Sequence, residues 1–215
     1  MSQETTAAAA ISRMESQLTR LREQALFTRE REDIAGLAAL IAALPERIAS
    51  LRSRGYVYNS PFEATAAELT LRWPEIERQA SGALSLQATL LKPEVGRAEQ
   101  AVGRLAPMRT RPLSAAQPTI ERLQAELNAA EQRINSAARS VHSVYEPLQN
   151  QVREVDRAVR QCERNLGWLD GATFSLEAGE SLVEATEARL LEGNDETEGI
   201  LFLTDRRLVF ERREK

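Results

Sequence analysis

The sequence predicts a mainly α fold: an elongated antiparallel three-helix coiled coil followed by a small C-terminal antiparallel β meander. Three observations predict it. Between Ile11 and Leu169 apolar residues recur at alternating steps of 3 and 4, the spacing of a coiled-coil seam. Of 215 residues, 28% are charged and only 5% aromatic, with Ala, Leu, Glu, Gln and Arg dominating, which is the composition of long helices. From Phe174 onward the pattern changes to short apolar runs around turn residues.

Residues 1–10 read as a flexible N-terminal tail. The first helix, about 11–54, carries Ile11, Met14, Leu18 and Leu21, then Ile34, Leu37, Ile41, Leu44, Ile48 and Leu51. These two series do not share one register. The charged run Arg29 to Asp33 lies between them and is expected to hold a local change of supercoil. Gly55 can adopt the left-handed cap that ends the helix.

Ser60, Pro61, Phe62 and Glu63 form a capping box with proline at the first helical position. The second helix, about 61–106, then runs through Phe62, Ala66, Leu69, Trp73, Ile76, Ala80 and Ala83. After a one-residue slip it continues through Leu84, Ala88, Leu91, Val95, Ala98, Val102 and Leu105. Pro74 and Pro93 predict kinks, because each removes a donor and crowds the preceding turn. Pro107 and Pro112 break the chain. The third helix, about 118–168, follows Ile120, Leu123, Leu127, Ala130, Ile134, Ala137, Val141, Val144 and Leu148. A slip beside Pro147 leads to Val152, Val155, Val159, Cys162, Leu166 and Leu169, with Gly167 and Gly171 at the end.

Each helix is roughly 65–75 Å long. Short links make neighbours antiparallel. One bundle closed within the chain satisfies these seams. So does a helical hairpin completed by another subunit.

Composition narrows the function. The net charge of -4 leaves a nucleic-acid partner without electrostatic support. Cys162 and His142 are the only residues of their kinds, which excludes an intrachain disulfide and a Cys/His metal cluster. Both read as helix-packing residues, as do Trp73 and Trp168. The N-terminus has no basic segment leading into an apolar one. The longest uncharged apolar run, Ile34 to Pro45, falls short of the roughly 18 residues of a membrane span. A cytoplasmic location is expected, with the inner face of the membrane as the alternative. No phosphate-binding glycine loop, zinc spacing or nucleophile elbow occurs, so no enzyme activity, cofactor or small-molecule substrate is expected.

Tyr56 and Tyr58 form an aromatic cluster at the tip joining helices one and two. They read either as a cap over the bundle end or as an exposed contact for a partner.

At the C-terminus, Phe174, Leu176, Gly179 and Glu180 lead into Ser181 to Leu191, and 193–199 is polar and turn-like. Two apolar runs then flank a tight turn with Asp205 at the bend, a β-hairpin by pattern. Residues 180–192 are rich in Glu, Ala and Leu, which by propensity alone is helix. The segment from Phe174, however, resembles the opening of bacterial PH-like and GRAM-like domains. The resemblance rests on the Gly179–Glu180 step and on Gly199, Leu201, Leu203, Thr204, Arg207, Leu208 and Phe210. It also resembles the tail of bacterial coiled-coil proteins that carry such a module. The resemblance implies a first strand over 180–192 and a module that starts at residue 172. A complete PH-like domain has further strands and a closing helix, so the expectation is a fragment or a three-stranded meander with an open edge.

PH-like domains bind protein partners or lipid headgroups. Headgroup binding would use Arg206, Arg207, Arg212 and Arg213, opposed by Glu211, Glu214 and the acidic stretch 192–198. The expected function is a non-enzymatic scaffold or oligomerisation protein whose C-terminal segment docks a protein partner. The alternative is a peripheral membrane adaptor binding anionic lipid. Tyr56, Tyr58 and the four arginines are the candidate contacts.

Overall fold

The computed structural model describes residues 7–59, 61–192 and 195–212. In chain order these form α1 (Ala8–Gln24), α2 (Thr28–Ser53), α3 (Pro61–Gly103), a 3-10 turn (Ala106–Met108) and α4 (Leu113–Asp170). Strands β1 (Leu182–Glu192), β2 (Asp195–Thr204) and β3 (Leu208–Arg212) follow. The fold is thus mainly α with a C-terminal three-stranded antiparallel sheet in the order β1-β2-β3.

The stretch expected as one helix is two. It begins at Ala8, so the end of the expected tail is helical, and it breaks where the two seams fall out of register. Leu26 N donates to Glu23 O at 3.2 Å and Phe27 N to Gln24 O at 3.0 Å, tightening the last turn of α1. Phe27 takes a left-handed φ of 53°, and Arg31 N donating to Phe27 O at 3.0 Å starts α2. This step resets the helical phase: Phe27 turns into the core while Leu26 stays exposed. A left-handed bulky residue costs free energy, and burying its ring offsets that.

The chain divides into two compact units, Met1–Gly36 with Pro74–Pro147, and Leu37–Trp73 with Leu148–Lys215. In the first, Gln17 Nε2 donates to Asn128 Oδ1 at 3.1 Å and Glu131 Oε2 at 2.8 Å, tying α1 to α4. Arg22 pairs with Glu99 at 2.9 Å, and Arg133 with Glu94 at 2.9 Å, so α3 meets both other helices. The buried side chains include Ile11, Met14, Leu21, Leu84, Leu91, Leu127, Ile134, Val141 and Tyr145.

In the second unit Arg47 of α2 reaches Asp156 at 2.5 Å and Glu163 at 2.8 Å on α4. Arg72 of α3 donates to Gln151 of α4 at 3.1 Å. Each unit therefore has three helices joined within the chain.

Most of the expected seam positions are buried, while Leu18, Ile76, Val95, Ile120, Val155 and Leu169 are only half-buried. In α4 the seam also moves by one residue: Tyr145 is fully buried and Val144 is not. Val141, Tyr145, Leu148 and Val152 keep the 4-3-4 spacing that Val144 breaks. The prolines expected to kink the second helix lie inside an unbroken α3, and α4 likewise contains Pro118 and Pro147. Within Ala8–Ser53 an 18-residue window reaches a mean hydropathy of 1.6, apolar and long enough to cross a membrane by composition alone.

The α2–α3 link is built as the glycine at its start predicts. Gly55 sits at φ 83°, Gly55 N donates to Arg52 O and Tyr56 N to Leu51 O, both at 3.0 Å. This is the paired 5→2 and 6→1 pattern of a Schellman cap. Arg52 then holds the link, donating to Tyr56 O and Tyr58 O at 2.7 Å and to both oxygens of Glu63. Glu63 is thereby engaged by an arginine. Ser60, its expected capping partner, lies outside the described residues.

Candidate functional site

The segment with helical propensity, 182–192, is a strand. Its pairing with β2 runs from Leu182 opposite Thr204 to Glu192 opposite Asp195. Ladder hydrogen bonds and the burial of Leu182 and Ala185 override the helical preference of Glu, Ala and Leu. A register shift at Val183 marks a bulge. The inner face buries Leu182, Ala185, Ile200 and Phe202, and Phe174 meets Phe202 edge to face at 5.0 Å.

Glu180, just before β1, has a fully buried side chain. It accepts from Arg207 Nε at 2.8 Å, Arg207 Nη2 at 2.9 Å, Thr204 Oγ1 at 2.7 Å and Glu177 N at 2.7 Å. Arg207 Nη2 also donates to Ser175 O at 3.0 Å. Ser181 N donates to Asp205 Oδ1 at 3.0 Å, and Asp205 N returns to Ser181 O at 3.1 Å. The Gly-Glu step and the Thr-x-x-Arg turn are thus two halves of one latch, which clamps the β2–β3 turn to the start of β1.

The bidentate Arg207, then the Glu177 N–H and the Thr204 hydroxyl, hold the Glu180 carboxyl down at about 2, below its ordinary 4.5. A depressed carboxylate contributes stability that is complete above its ordinary value and is lost as pH falls toward the folded one. Amide exchange in β1 and β2 should therefore accelerate as pH drops from 4.5 toward 2, once corrected for intrinsic rates. Glu180→Gln should show fast exchange already at neutral pH with that acid step removed. An unchanged acid step in the variant would count against the latch.

The outer face of the sheet is different. Alternation places Leu190 on β1, Leu201 and Leu203 on β2, and Leu208 and Phe210 on β3 together. Leu190, Leu203 and Leu208 are 40%, 41% and 64% exposed. Gly199 lies on the same face and leaves room for the Phe210 ring, whose Cζ would stand 2.5 Å from a Cβ at that position. The β1 edge is partly covered: the Tyr56 hydroxyl donates to Val183 O at 3.1 Å. The β3 edge has no such cover among the described residues.

The candidate contacts that lie among the described residues are engaged in different ways. Tyr56 is buried against the start of β1, which makes it a packing residue; Tyr58 is half-buried beside it, ring to ring at 6.2 Å. Arg207 is consumed by Glu180. Arg206 faces Glu177 at 3.8 Å with both side chains solvent-exposed. Arg212 is exposed and forms no ion pair among the described residues. Arg213 lies outside them. The outer apolar face was not singled out from sequence, although the alternation of Leu201 with Leu203 and of Leu208 with Phe210 carried the signal.

An open cleft of about 1010 Å³ lies in the first unit beside the α1–α2 break, lined by Glu30, Asp33, Asn135, Arg139, His142 and Tyr145. His142 meets Tyr145 edge to face at 5.0 Å. Burial first, then the Asp33 and Glu30 charges, push the Tyr145 hydroxyl up to about 12, so it stays protonated at neutral pH and is no base. Cys162 is buried, with Asn59 Nδ2 at 3.7 Å from its sulfur. Among the described residues no group of three or more His, Cys, Asp or Glu is placed to hold a metal ion.

Compared with known proteins, the chain matches no family model, no curated protein and no solved structure.

Proposed function

We propose that the chain is a non-enzymatic helical scaffold whose C-terminal meander docks a protein partner through its outer face. The observation that carries this is the exposed Leu203–Leu208 pair on that face, with Leu190 farther along it, next to a strand edge that is uncovered among the described residues. Apolar side chains grouped on one surface mark interaction sites far more than single exposed ones do. The likeness of this segment to the opening of PH-like domains supports the same reading. Lipid binding has less support, since Arg207 is committed to Glu180 and Arg206 faces the Glu177 carboxylate.

A photo-crosslinking residue placed in the native host at Leu203 or Leu208 tests the docking. Discrete adducts are expected from both positions and none from Leu71, which is 82% exposed on α3. No adduct from the sheet, or the same adducts from Leu71, would sink the reading.

A further inference from the structure

We infer that the partner binds as an extended, acid-flanked peptide segment that adds to β3 as a fourth strand. This rests on the docking reading above and specifies its mode.

The edge chemistry comes first. Thr204 N donates to Arg207 O at 2.9 Å, which closes the β2–β3 hairpin around Asp205 and Arg206. Hydrogen-bonding direction alternates along an antiparallel strand. Arg207, Val209 and Glu211 therefore point their backbone groups at β2, and Leu208, Phe210 and Arg212 point theirs outward. No hydrogen-bond partner reaches those outward groups among the described residues. Natural edge strands are usually blunted by charge, proline or a cover. This one presents Leu208, Val209 and Phe210 in succession.

Area decides between occupants. Three partly exposed leucines leave on the order of 300 Å² of apolar surface. A stable dimer needs about 800 Å² from each copy. The face is too small for a second copy by itself. It suits one added strand, whose affinity comes largely from main-chain hydrogen bonds and whose alternate side chains extend the apolar face.

Charge specifies the ends. Arg206 in the β2–β3 turn and Arg212 at the far end of β3 bracket the strand, whose five residues span about 17 Å when extended. Arg206 has only a long, exposed contact to Glu177, and Arg212 has no ion pair among the described residues. A segment of about seven residues, apolar at alternate positions with Asp or Glu at each end, complements this edge.

The test pans a displayed library of random heptapeptides on the full chain and then measures amide exchange with a selected synthetic peptide. Selected sequences should alternate apolar residues between acidic ends. The peptide should slow exchange at Leu208, Phe210 and Arg212. Val209 and Glu211, already bonded to β2, should change little. Arg212→Glu should weaken the acid-ended peptide about tenfold, and a version with lysine only at the end facing residue 212 should recover the loss. An empty selection, peptides that protect none of the three amides, or affinity indifferent to end charge would each overturn the proposal. So would protection of those amides by anionic vesicles alone. Concentration-dependent dimerisation that protects them without peptide would assign the edge to a second copy instead. Crosslinks from Leu203 and Leu208 that persist while the edge amides stay unprotected would retain the docking surface and reject strand addition.

Discussion

Phe27→Ala should lower the unfolding free energy by about 3–5 kcal/mol, the range for truncating a buried aromatic ring. Phe27 is 1% exposed at the break between α1 and α2. Its ring is what makes a left-handed residue worthwhile there: burial stabilises the core, and the φ of 53° is the strain accepted for it. Alanine keeps the strained backbone and removes the compensation. Glycine tolerates the conformation, so Phe27→Gly should recover about 1 kcal/mol relative to alanine. The neighbouring Leu26 is 64% exposed, and Leu26→Ala should stay within about 0.5 kcal/mol of the parent protein. Urea denaturation of the four proteins checks the series. If Phe27→Ala cost no more than Leu26→Ala, the break would not be held by its core residue.

Gly199→Ala should be the most damaging single-methyl change in the sheet. A Cβ at that position would lie 2.2 Å from Glu211 O and 2.5 Å from Phe210 Cζ. The ring could turn aside; the backbone oxygen belongs to the paired strand and could not. Restoring normal separation requires β3 to move away from β2, which should cost about 3 kcal/mol. The loss should be local. Exchange at Val209 and Glu211 should approach unprotected rates while the β1–β2 amides and the helices keep theirs. Protection of β3 equal to that of the parent would show that the two strands do not approach so closely.

Both positions show where local reading stops. The register mismatch between Leu21 and Ile34 announces a slip near residues 25–33, with the charged run Arg29 to Asp33 as its most visible feature. The break falls inside that window at Phe27, where a buried ring rather than solvated charge defines it. Gly199 stands out in the sequence as part of a hairpin motif, yet nothing local says that its missing Cβ makes room for Phe210 and the Glu211 carbonyl. At the candidate site the motif residues were visible before the structure, but their role was not. Glu180 and Arg207 are 27 residues apart, and only the folded hairpin brings the carboxylate into the fork of the guanidinium. Arg207, a candidate contact by sequence, is thereby bound to Glu180 within the chain.

The sequence by itself determined the helical seams, the Gly55 cap and the turn at Asp205. Each of these follows from apolar period or backbone freedom over a few neighbouring residues. Tertiary structure alone decided that Phe27 is left-handed and that Tyr56 packs inward, and for 182–192 it decided between the helix that propensity favours and the strand that the resemblance implies. In all three the deciding free energy comes from partners distant in sequence. Cross-strand hydrogen bonds and shared burial outweigh a helical propensity of a few tenths of a kcal/mol per residue.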